Sequence, residues 1–450
     1  MADVTDDATR DPTASPLVSA ALHTDRYELT MIDAALRAGT HDTPCVFELF
    51  ARRLPDGRRY GVVAGTGRLL DAIADFRFGP DELAYLERER VVSDEALDWL
   101  ASYRFTGDIR GYREGEPYFP GSPLLVVEAG FAEGVVLETL ALSTLNYDSA
   151  VASAAARMVS AAGGRPLAEM GSRRTGEHSA VAAARAAYIA GFGASSNLEA
   201  GRTWGVPTMG TAAHAFTLLF PDEPSAFRAQ IASLGTGTTL LVDTYDIRQG
   251  VENAVRAAGP ELGAVRIDSG DLGVVVREVR EQLDALGADR TRITVTNDLD
   301  EHAIAALASA PVDSYGVGTA LVTGSGAPAA NMVYKLVARQ GADGDWVGVG
   351  KSSEGKATVG GRKQPVRALR NGVAVAEEIH VDDPPVTALG PDAGRLLHVP
   401  LVTAGEPVDE ARGPAGVEAA RAHHARAMAE LPADALRLSR GEPAIPTRYL

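Results

Sequence analysis

The stretches TTLLVDTYD (238–246), AVRIDSGD (264–271), RITVTND (292–298) and VDSYGVGTAL (312–321) follow one another along the chain. Each contains an apolar run of the kind found in buried strands, followed by a polar or glycine-containing turn. An amphipathic helix pattern follows each of the first three. Because the strand ends recur every 20 to 30 residues, these stretches predict βα units and a parallel sheet with right-handed crossovers.

The same rhythm predicts an α/β domain over residues 143–340. PLAEMG (166–171) is a short strand pattern, and an alanine-rich helix is predicted over residues 146–159. Farther along, VPTMGTAAHAF (206–216) places His214 directly after a turn of small residues. Small residues let backbone N–H groups approach an anion closely. In α/β barrels and open α/β sheets, turns at the carboxyl ends of the strands form the site.

The flanking parts of the chain have a different character. Residues 1–20 are polar and acidic, which predicts a disordered tail. Residues 21–142 predict an N-terminal α/β domain, and residues 341–450 predict a C-terminal β and loop segment with a terminal helix. Within the N-terminal domain, the apolar runs of PLLVVEAGFAEGVVLETLAL (123–142) are separated by glycines, which favours strands.

Composition argues against several classes of protein. The net charge of −17 over 450 residues opposes a broad surface for nucleic acid or anionic membranes. No apolar stretch is long enough for a transmembrane helix, and the start of the chain lacks the pattern of a signal peptide. The single cysteine, Cys45, excludes an intrachain disulfide and favours a reducing, cytoplasmic location.

Four features carry residues suited to chemistry. Arg173 and Arg174 can grip a carboxylate or phosphate through two parallel hydrogen bonds. The aspartates of RIDSGD (266–271) can bind sugar hydroxyls, and YGVGT (315–319) is a turn of the kind that cradles phosphate. His214 can act as a nucleophile or as an acid–base group. Together they predict a site for a phosphosugar and a small anion, with a divalent cation.

Structural explanations compete with these interpretations. A lone histidine on a mostly apolar segment is more often a structural residue than a chemical one. Asp298 and, in part, Asp271 fit as caps of the helices that follow them, whereas Asp268 still lies within an apolar run. The lysines of the glycine-rich stretch 351–367 fit a solvated hairpin face equally well.

Eight motifs, taken in order, resemble those of the nicotinate phosphoribosyltransferase family and span roughly residues 22–370. They are TDRYELTM (24–31), FELFARRLP (47–55), LAEMGSRRTG (167–176), SSNLEAGRTWGVPTMGTAAHAF (195–216), LVDTYD (241–246), RIDSGDL (266–272), YGVGT (315–319) and KSSEGKATVGGRKQPVR (351–367). One such motif would be weak evidence, but the ordered set is highly specific.

The resemblance implies an irregular, TIM-like α/β barrel with an N-terminal α/β domain that the C-terminal segment rejoins. It implies a reaction of NAD biosynthesis, in which nicotinate and 5-phosphoribosyl 1-diphosphate give nicotinate mononucleotide and diphosphate. It further implies ATP hydrolysis coupled through a phosphohistidine, a requirement for Mg²⁺, and a homodimer.

The family's functional positions fall on residues of this chain. The phosphorylated histidine falls on His214, the carboxylate- and phosphate-binding arginine on Arg173, and the nicotinate-stacking tyrosine on Tyr27, which in family dimers reaches the neighbour's site. The other matched positions contact the base, the ribose and the 5′-phosphate, and they are Arg266, Asp268, Ser269, Gly316, Gly318 and Thr319. Asp268 is also expected to stabilise positive charge on the sugar during transfer.

Two points concern the histidine. We hypothesise that Lys351, Lys356 and Lys363 compensate the negative charge of a phosphate on His214. Ala215 departs from the Ser or Glu that the family usually carries after the histidine, and a lost orienting side chain would weaken phosphorylation. The metal ligands are not assigned.

Other functions remain to be separated from this one. A nicotinamide phosphoribosyltransferase of the same fold differs by a carboxamide in place of a carboxylate, and the pair Arg173 and Arg174 favours the anion. Quinolinate phosphoribosyltransferase resembles the chain in architecture only. A non-catalytic sensor would bind 5-phosphoribosyl 1-diphosphate without releasing diphosphate.

Overall fold

The computed structural model describes residues 19–351, 358–382 and 394–450. Of the predicted tail, residues 1–20, only the last two residues lie within these ranges. Lys356 lies outside them. No helix of the described ranges combines the length and the apolar character that crossing a bilayer requires.

The described residues form three successive groups of elements. The first group is α1 (Arg26–Ala38), β1 (Pro44–Ala51), β2 (Gly61–Val62), α2 (Thr66–Asp75), α3 (Pro80–Arg88), α4 (Asp94–Ser102), β3 (Asp108–Tyr112), β4 (Pro117–Tyr118), β5 (Leu125–Gly130) and α5 (Phe131–Val135). The second group is α6 (Glu138–Ala162), β6 (Leu167–Glu169), α7 (Glu177–Ile189), β7 (Ala194–Ser195), α8 (Leu198–Trp204), α9 (His214–Leu219), α10 (Glu223–Leu234), β8 (Thr239–Leu241), α11 (Ile247–Ala258), β9 (Ala264–Ile267), α12 (Leu272–Ala285), β10 (Arg292–Thr296), α13 (Glu301–Ala306), β11 (Ser314–Val317) and α14 (Thr319–Val322). The third group is β12 (Met332–Gln340), β13 (Trp346–Gly348), β14 (Lys363–Arg370), β15 (Val373–Val381), β16 (Arg395–Leu396), β17 (His398–Thr403), β18 (Glu406–Pro407), α15 (Gly413–Ala429) and β19 (Thr447–Tyr449).

The second group builds the parallel sheet that the sequence predicts. Its six strands run in the order β7-β6-β11-β10-β9-β8, and every neighbouring pair is parallel. Apolar side chains such as Val265, Ile267 and Val295 are fully buried between this sheet and its helices. β7 and β8 remain the two edges in the described part of the chain, so the sheet is a curled half-barrel. The α/β fold class is confirmed.

A seven-stranded antiparallel sheet brings the two ends of the chain together, in the order β13-β12-β1-β5-β3-β17-β18. β12 and β17 return from beyond the parallel sheet to pair with β1 and β3. The C-terminal segment therefore rejoins the N-terminal part, as expected. The sequence-based division grouped residues 332–340 with the parallel sheet, whereas their hydrogen bonds are made with β1. The domain boundaries themselves stay predictions.

One sequence-based expectation is corrected between residues 131 and 142. These residues were predicted as strands, but they form α5 and the first turns of α6, which begins well before the predicted start at 146. The apolar side chains Val136, Leu137 and Leu140 are all buried. A helix that is buried on most sides lacks the amphipathic period that separates a helix from a strand in sequence.

A third sheet and the last helix complete the fold. The sheet has the order β16-β14-β15-β19. The predicted terminal helix is α15, and it packs against α7 through the hydrogen bond of Tyr188 Oη with Glu418 (2.6 Å). This contact supports α7, which directly follows the turn that carries Arg173.

Candidate active site

His214 and Asp243 form the centre of a polar cluster at the carboxyl ends of the parallel strands. His214 is the first residue of α9, and its Nε2 lies 3.0 Å from Asp243 Oδ1. The imidazole is 41 % exposed, whereas the Asp243 side chain is 1 % exposed. A buried carboxylate thus holds one ring nitrogen of a histidine that still faces solvent, which fixes the ring without enclosing it.

Asp243 also ties this histidine to the next strand end. Its Oδ2 accepts hydrogen bonds from the Asp268 backbone N–H (2.8 Å) and the Ser269 hydroxyl (2.7 Å). Asp268 follows β9 directly, and its Oδ1 accepts from the Thr296 hydroxyl at the end of β10 (2.7 Å). Three adjacent strand ends are therefore connected by hydrogen bonds, and this connection places Asp268 and Ser269 beside the histidine.

Arg266 supplies positive charge within the same cluster. Its Nη1 donates to the Thr211 hydroxyl (3.1 Å), and its buried Nε has no hydrogen-bond partner in the described structure. Burial lowers the pKa of the Arg266 guanidinium, and the charge of Arg173 adds to the lowering, against the opposite effects of Asp268 and Asp243. Arg173 is therefore close enough to disfavour the charged form of Arg266, and an anion bound beside Arg266 would offset this effect.

The glycines of the predicted phosphate turn lie at the end of β11. A Cβ on Gly316 would come within 2.6 Å of Thr296 Cγ2 and 2.7 Å of Met170 Sδ. A larger residue at this position, next to the turn that leads to Arg173, would therefore have to displace the side chains of Thr296 and Met170. Gly318 precedes α14, and Thr319 is exposed at the first residue of that helix. Their roles toward a 5′-phosphate stay predictions.

Some predicted site residues are not brought to this cluster within the described chain. Tyr27 lies on α1 and is 46 % exposed, and the side chain that it contacts is Glu138. Lys363 was predicted on a loop, but it starts β14, is buried, and pairs with Glu48 Oε2 at 2.7 Å. An ammonium group needs such a partner when it leaves water, so the loop assignment of Lys363 is corrected. Lys351 is exposed beyond β13.

The structure adds positions that the sequence analysis did not assign. Asp243 was given no role there, although it follows β8 much as Asp268 follows β9. That shared placement was a signal for its role. Thr211 and Thr296 left no comparable signal, because threonine is common in strands and turns. The exposed Ala215 provides no group to orient His214, and Asp243 does so from another element.

The donor set of the strand ends bears on the expected divalent cation. In the part of the chain that the structure describes, no three His, Cys, Asp or Glu side chains are grouped to hold a metal ion. The strand ends offer single carboxylates instead. Mg²⁺ commonly binds through one or two carboxylates together with substrate phosphates, and this donor set fits that mode.

Comparisons with known proteins identify the family of the chain. The family model described as the nicotinate phosphoribosyltransferase (NAPRTase) N-terminal domain matches residues 22–146. The chain is 59 % identical over 440 residues to nicotinate phosphoribosyltransferase pncB1 of Mycobacterium tuberculosis (strain CDC 1551 / Oshkosh), covering 96 % of this chain and 95 % of the relative. It is 38 % identical over 363 residues to nicotinate phosphoribosyltransferase of Bacillus subtilis (strain 168), covering 78 % and 74 %.

A solved structure extends the likeness to the whole fold. The crystal structure of human nicotinic acid phosphoribosyltransferase superposes with a TM-score of 0.79 at 26 % identity, covering 95 % of this chain and 97 % of the human chain. The ordered motifs, the polar cluster at the strand ends and the near-full-length relatives lead to one conclusion: the chain belongs to the nicotinate phosphoribosyltransferase family.

Proposed function

We propose that this chain joins nicotinate to 5-phosphoribosyl 1-diphosphate, giving nicotinate mononucleotide and diphosphate, and that it couples this reaction to ATP hydrolysis through His214. The observation that best supports this proposal is the hydrogen-bonded cluster in which Asp243 connects His214 to Asp268 and Ser269. It places a solvent-facing nucleophile within one network with groups suited to a phosphosugar.

The transfer step requires alignment and charge stabilisation more than covalent help from the protein. As diphosphate leaves the anomeric carbon, positive charge develops on the sugar, and the nicotinate nitrogen attacks that carbon. The Asp268 carboxylate is held by Thr296 at the strand end and would stabilise this charge. Ser269, together with the turn containing Gly316, Gly318 and Thr319, would hold the sugar and its 5′-phosphate.

The choice of base follows from the two guanidinium groups. Arg266 is largely buried, its Nε lacks a partner in the described structure, and Arg173 is close enough to disfavour its charged state. A carboxylate would satisfy both groups, whereas a carboxamide carries no charge to offset theirs. This arrangement supports nicotinate over nicotinamide as the substrate.

The contact of His214 with Asp243 suggests which ring nitrogen attacks ATP. With Nε2–H donating to Asp243, the lone pair lies on Nδ1. Nδ1 would take the γ-phosphoryl group, ADP would leave, and water would later release phosphate. Asp243 would stabilise the imidazolium that forms. Lys351 remains a candidate to compensate the negative charge that the phosphoryl group adds to His214.

The expected Mg²⁺ would be carried by substrate phosphates and would contact Asp268. When bound, it would neutralise the diphosphate that leaves. We also propose a homodimer, because Tyr27 is exposed on α1 and would complete the site only in a neighbouring subunit.

The test is a diphosphate-release assay with nicotinate or nicotinamide at equal concentration, with and without Mg-ATP. We expect turnover with nicotinate, faster turnover with ATP, and a loss of about 10²–10³-fold in turnover for Asp268→Asn. Labelling from γ-labelled ATP should give an acid-labile phosphoprotein in the wild type and none in His214→Ala. Binding of 5-phosphoribosyl 1-diphosphate without diphosphate release would support the sensor function instead.

A further inference from the structure

Glu169 is a buried carboxylate beside the site that the proposed mechanism does not use. It is the last residue of β6 and is 0 % exposed. Its Oε1 accepts from the Gly171 backbone N–H, and its Oε2 accepts from the Ser195 hydroxyl at 2.5 Å. No lysine, arginine or histidine pairs with it in the described ranges. A buried carboxylate held only by neutral donors is costly, so its position calls for an explanation.

One partner of Glu169 belongs to the turn that carries Arg173. Gly171 precedes the short helix Ser172–Arg174, and its carbonyl accepts from the Arg174 N–H at 2.8 Å. A Cβ on Gly171 would come within 2.3 Å of Val322 Cγ1, so the turn is closely packed from the other side. The Glu169 carboxylate therefore fixes the base of the arginine turn.

The other partner belongs to the segment that leads to His214. Ser195 is also 0 % exposed, and its backbone N–H donates to Pro207 O while its carbonyl accepts from Met209 N–H, both at 2.9 Å. The segment 207–213 contains Thr211, which contacts Arg266, and it leads directly to His214. The position of Ser195 therefore determines where the histidine segment starts.

We propose that Glu169 and Ser195 act as a positioning pair that holds the Arg173 turn and the His214 segment in one fixed relation, so that ATP consumption stays tied to nucleotide formation. This inference rests on the proposed function. The pair touches neither reacting group and acts through the two segments. A carboxylate suits this task because it accepts from both donors at once, whereas an amide must turn its NH₂ toward one of them.

The first experiment compares Ser195→Ala and Glu169→Gln with Ser149→Ala. Ser149 is an equally buried serine whose hydroxyl accepts from the Ala64 N–H at 3.1 Å, away from the strand ends. We expect both site variants to raise the phosphate released from ATP per nicotinate mononucleotide between about twofold and thirtyfold, with higher KM for nicotinate. Ser149→Ala should leave this ratio at the wild-type value.

The second experiment is hydrogen exchange of the full chain without substrates. Ser195→Ala should speed exchange in both segments, 171–174 and 207–214, and Ser149→Ala in neither. Faster exchange in only one segment, or an unchanged ATP-to-product ratio in an active Ser195→Ala enzyme, would overturn the coupling. A wild-type protein that forms no nucleotide would instead reject the proposed function, and the exchange result would still decide whether the pair links the two segments.

Discussion

Two histidine–carboxylate pairs with buried carboxylates, His214–Asp243 and His423–Glu116, differ in what else the carboxylate contacts. His214 Nε2 lies 3.0 Å from Asp243, and His423 Nε2 on α15 lies 2.7 Å from Glu116. Among the described residues, Asp243 accepts hydrogen bonds from the histidine, a backbone N–H and a hydroxyl, and from no arginine or lysine. Glu116 additionally meets the guanidinium groups of Arg395 at 2.6 Å and Arg367 at 3.3 Å.

This difference separates the pair proposed to be reactive from a structural one. Burial alone would raise the pKa of Glu116, but His423, Arg367 and Arg395 together lower it to about 2. The His423 side chain is only 14 % exposed, against 41 % for His214. The Glu116 carboxylate pairs with two guanidinium groups besides its histidine, whereas the Asp243 carboxylate has no arginine or lysine partner in the described structure and its histidine is open to solvent. The pair alone therefore does not identify a site, and the exposure of the histidine is what separates the two pairs.

The strongest test of this comparison replaces each carboxylate by its amide. Glu116→Gln removes one of the two carboxylates that pair with each of Arg367 and Arg395, and we expect the free energy of unfolding to fall by about 3 kcal/mol. Asp243→Asn removes no buried cation's partner, and a loss of about 1–2 kcal/mol is expected. Urea unfolding of both variants measures the two values. Equal losses would contradict the distinction drawn here.

Removing the histidines should reverse the order of effects. His214→Ala should abolish the acceleration by ATP, which we expect to lower nucleotide formation by about 10²-fold or more under ATP-dependent conditions. His423→Ala should keep the ATP-dependent rate within about twofold, because Arg367 and Arg395 still hold Glu116. Initial rates with and without Mg-ATP provide the measurement. Loss of the ATP effect in both variants would place α15 in the reaction.

Acid pH should weaken the structural pair in a defined range. The pKa of Glu116 is about 2 in the folded chain, below its ordinary value of 4.5. The folded state therefore favours the carboxylate, and Glu116 contributes stability above pH 4.5 that is lost as the pH falls toward 2. The contribution is about 3 kcal/mol. Unfolding free energies measured from pH 6 to pH 3 should decline more steeply in the wild type than in Glu116→Gln, and parallel curves would refute this assignment.

The smallest expected effect concerns the hydroxyl that supports Asp243. Ser269→Ala removes one hydrogen bond to a charged group, worth about 1.5 kcal/mol, so turnover should fall roughly tenfold. Asp268 N–H still holds the same oxygen, which should preserve the histidine contact. Steady-state kinetics measure the fall, and Ser225→Ala on the exposed start of α10 is a suitable control. A loss as large as that of His214→Ala would show that Ser269 does more than support Asp243.

The sequence predicts the parallel sheet well because its signals are local. From β8 to β11, each apolar run, turn and amphipathic helix lies within 20 to 30 residues, and the site residues Arg266, Asp268 and His214 lie near strand ends as expected. Asp243 shows the limit of this reasoning, since its partners come from two other elements. Their placement depends on how the strands align in the sheet.

Other features could not be read from the chain because they depend on distant packing. The sequence around Lys363 suggests an exposed cation, because its partner Glu48 lies 315 residues earlier in the chain. The helices over residues 131–142 look like strands because both of their faces are covered. In each case the deciding partner is far away in sequence, where neither periodicity nor propensity carries information.

The return of β12 and β17 to the first sheet has a consequence for synthesis on the ribosome. β1 lies between β5, which is made early, and β12, which is made only after the whole parallel sheet. During translation the parallel strands can pair among themselves, but one edge of β1 has no partner strand until β12 is made. An exposed strand edge is a template for pairing with other chains. Nascent chains are therefore most prone to aggregation before residue 340 emerges, and slower elongation before that point would prolong the exposure of this edge.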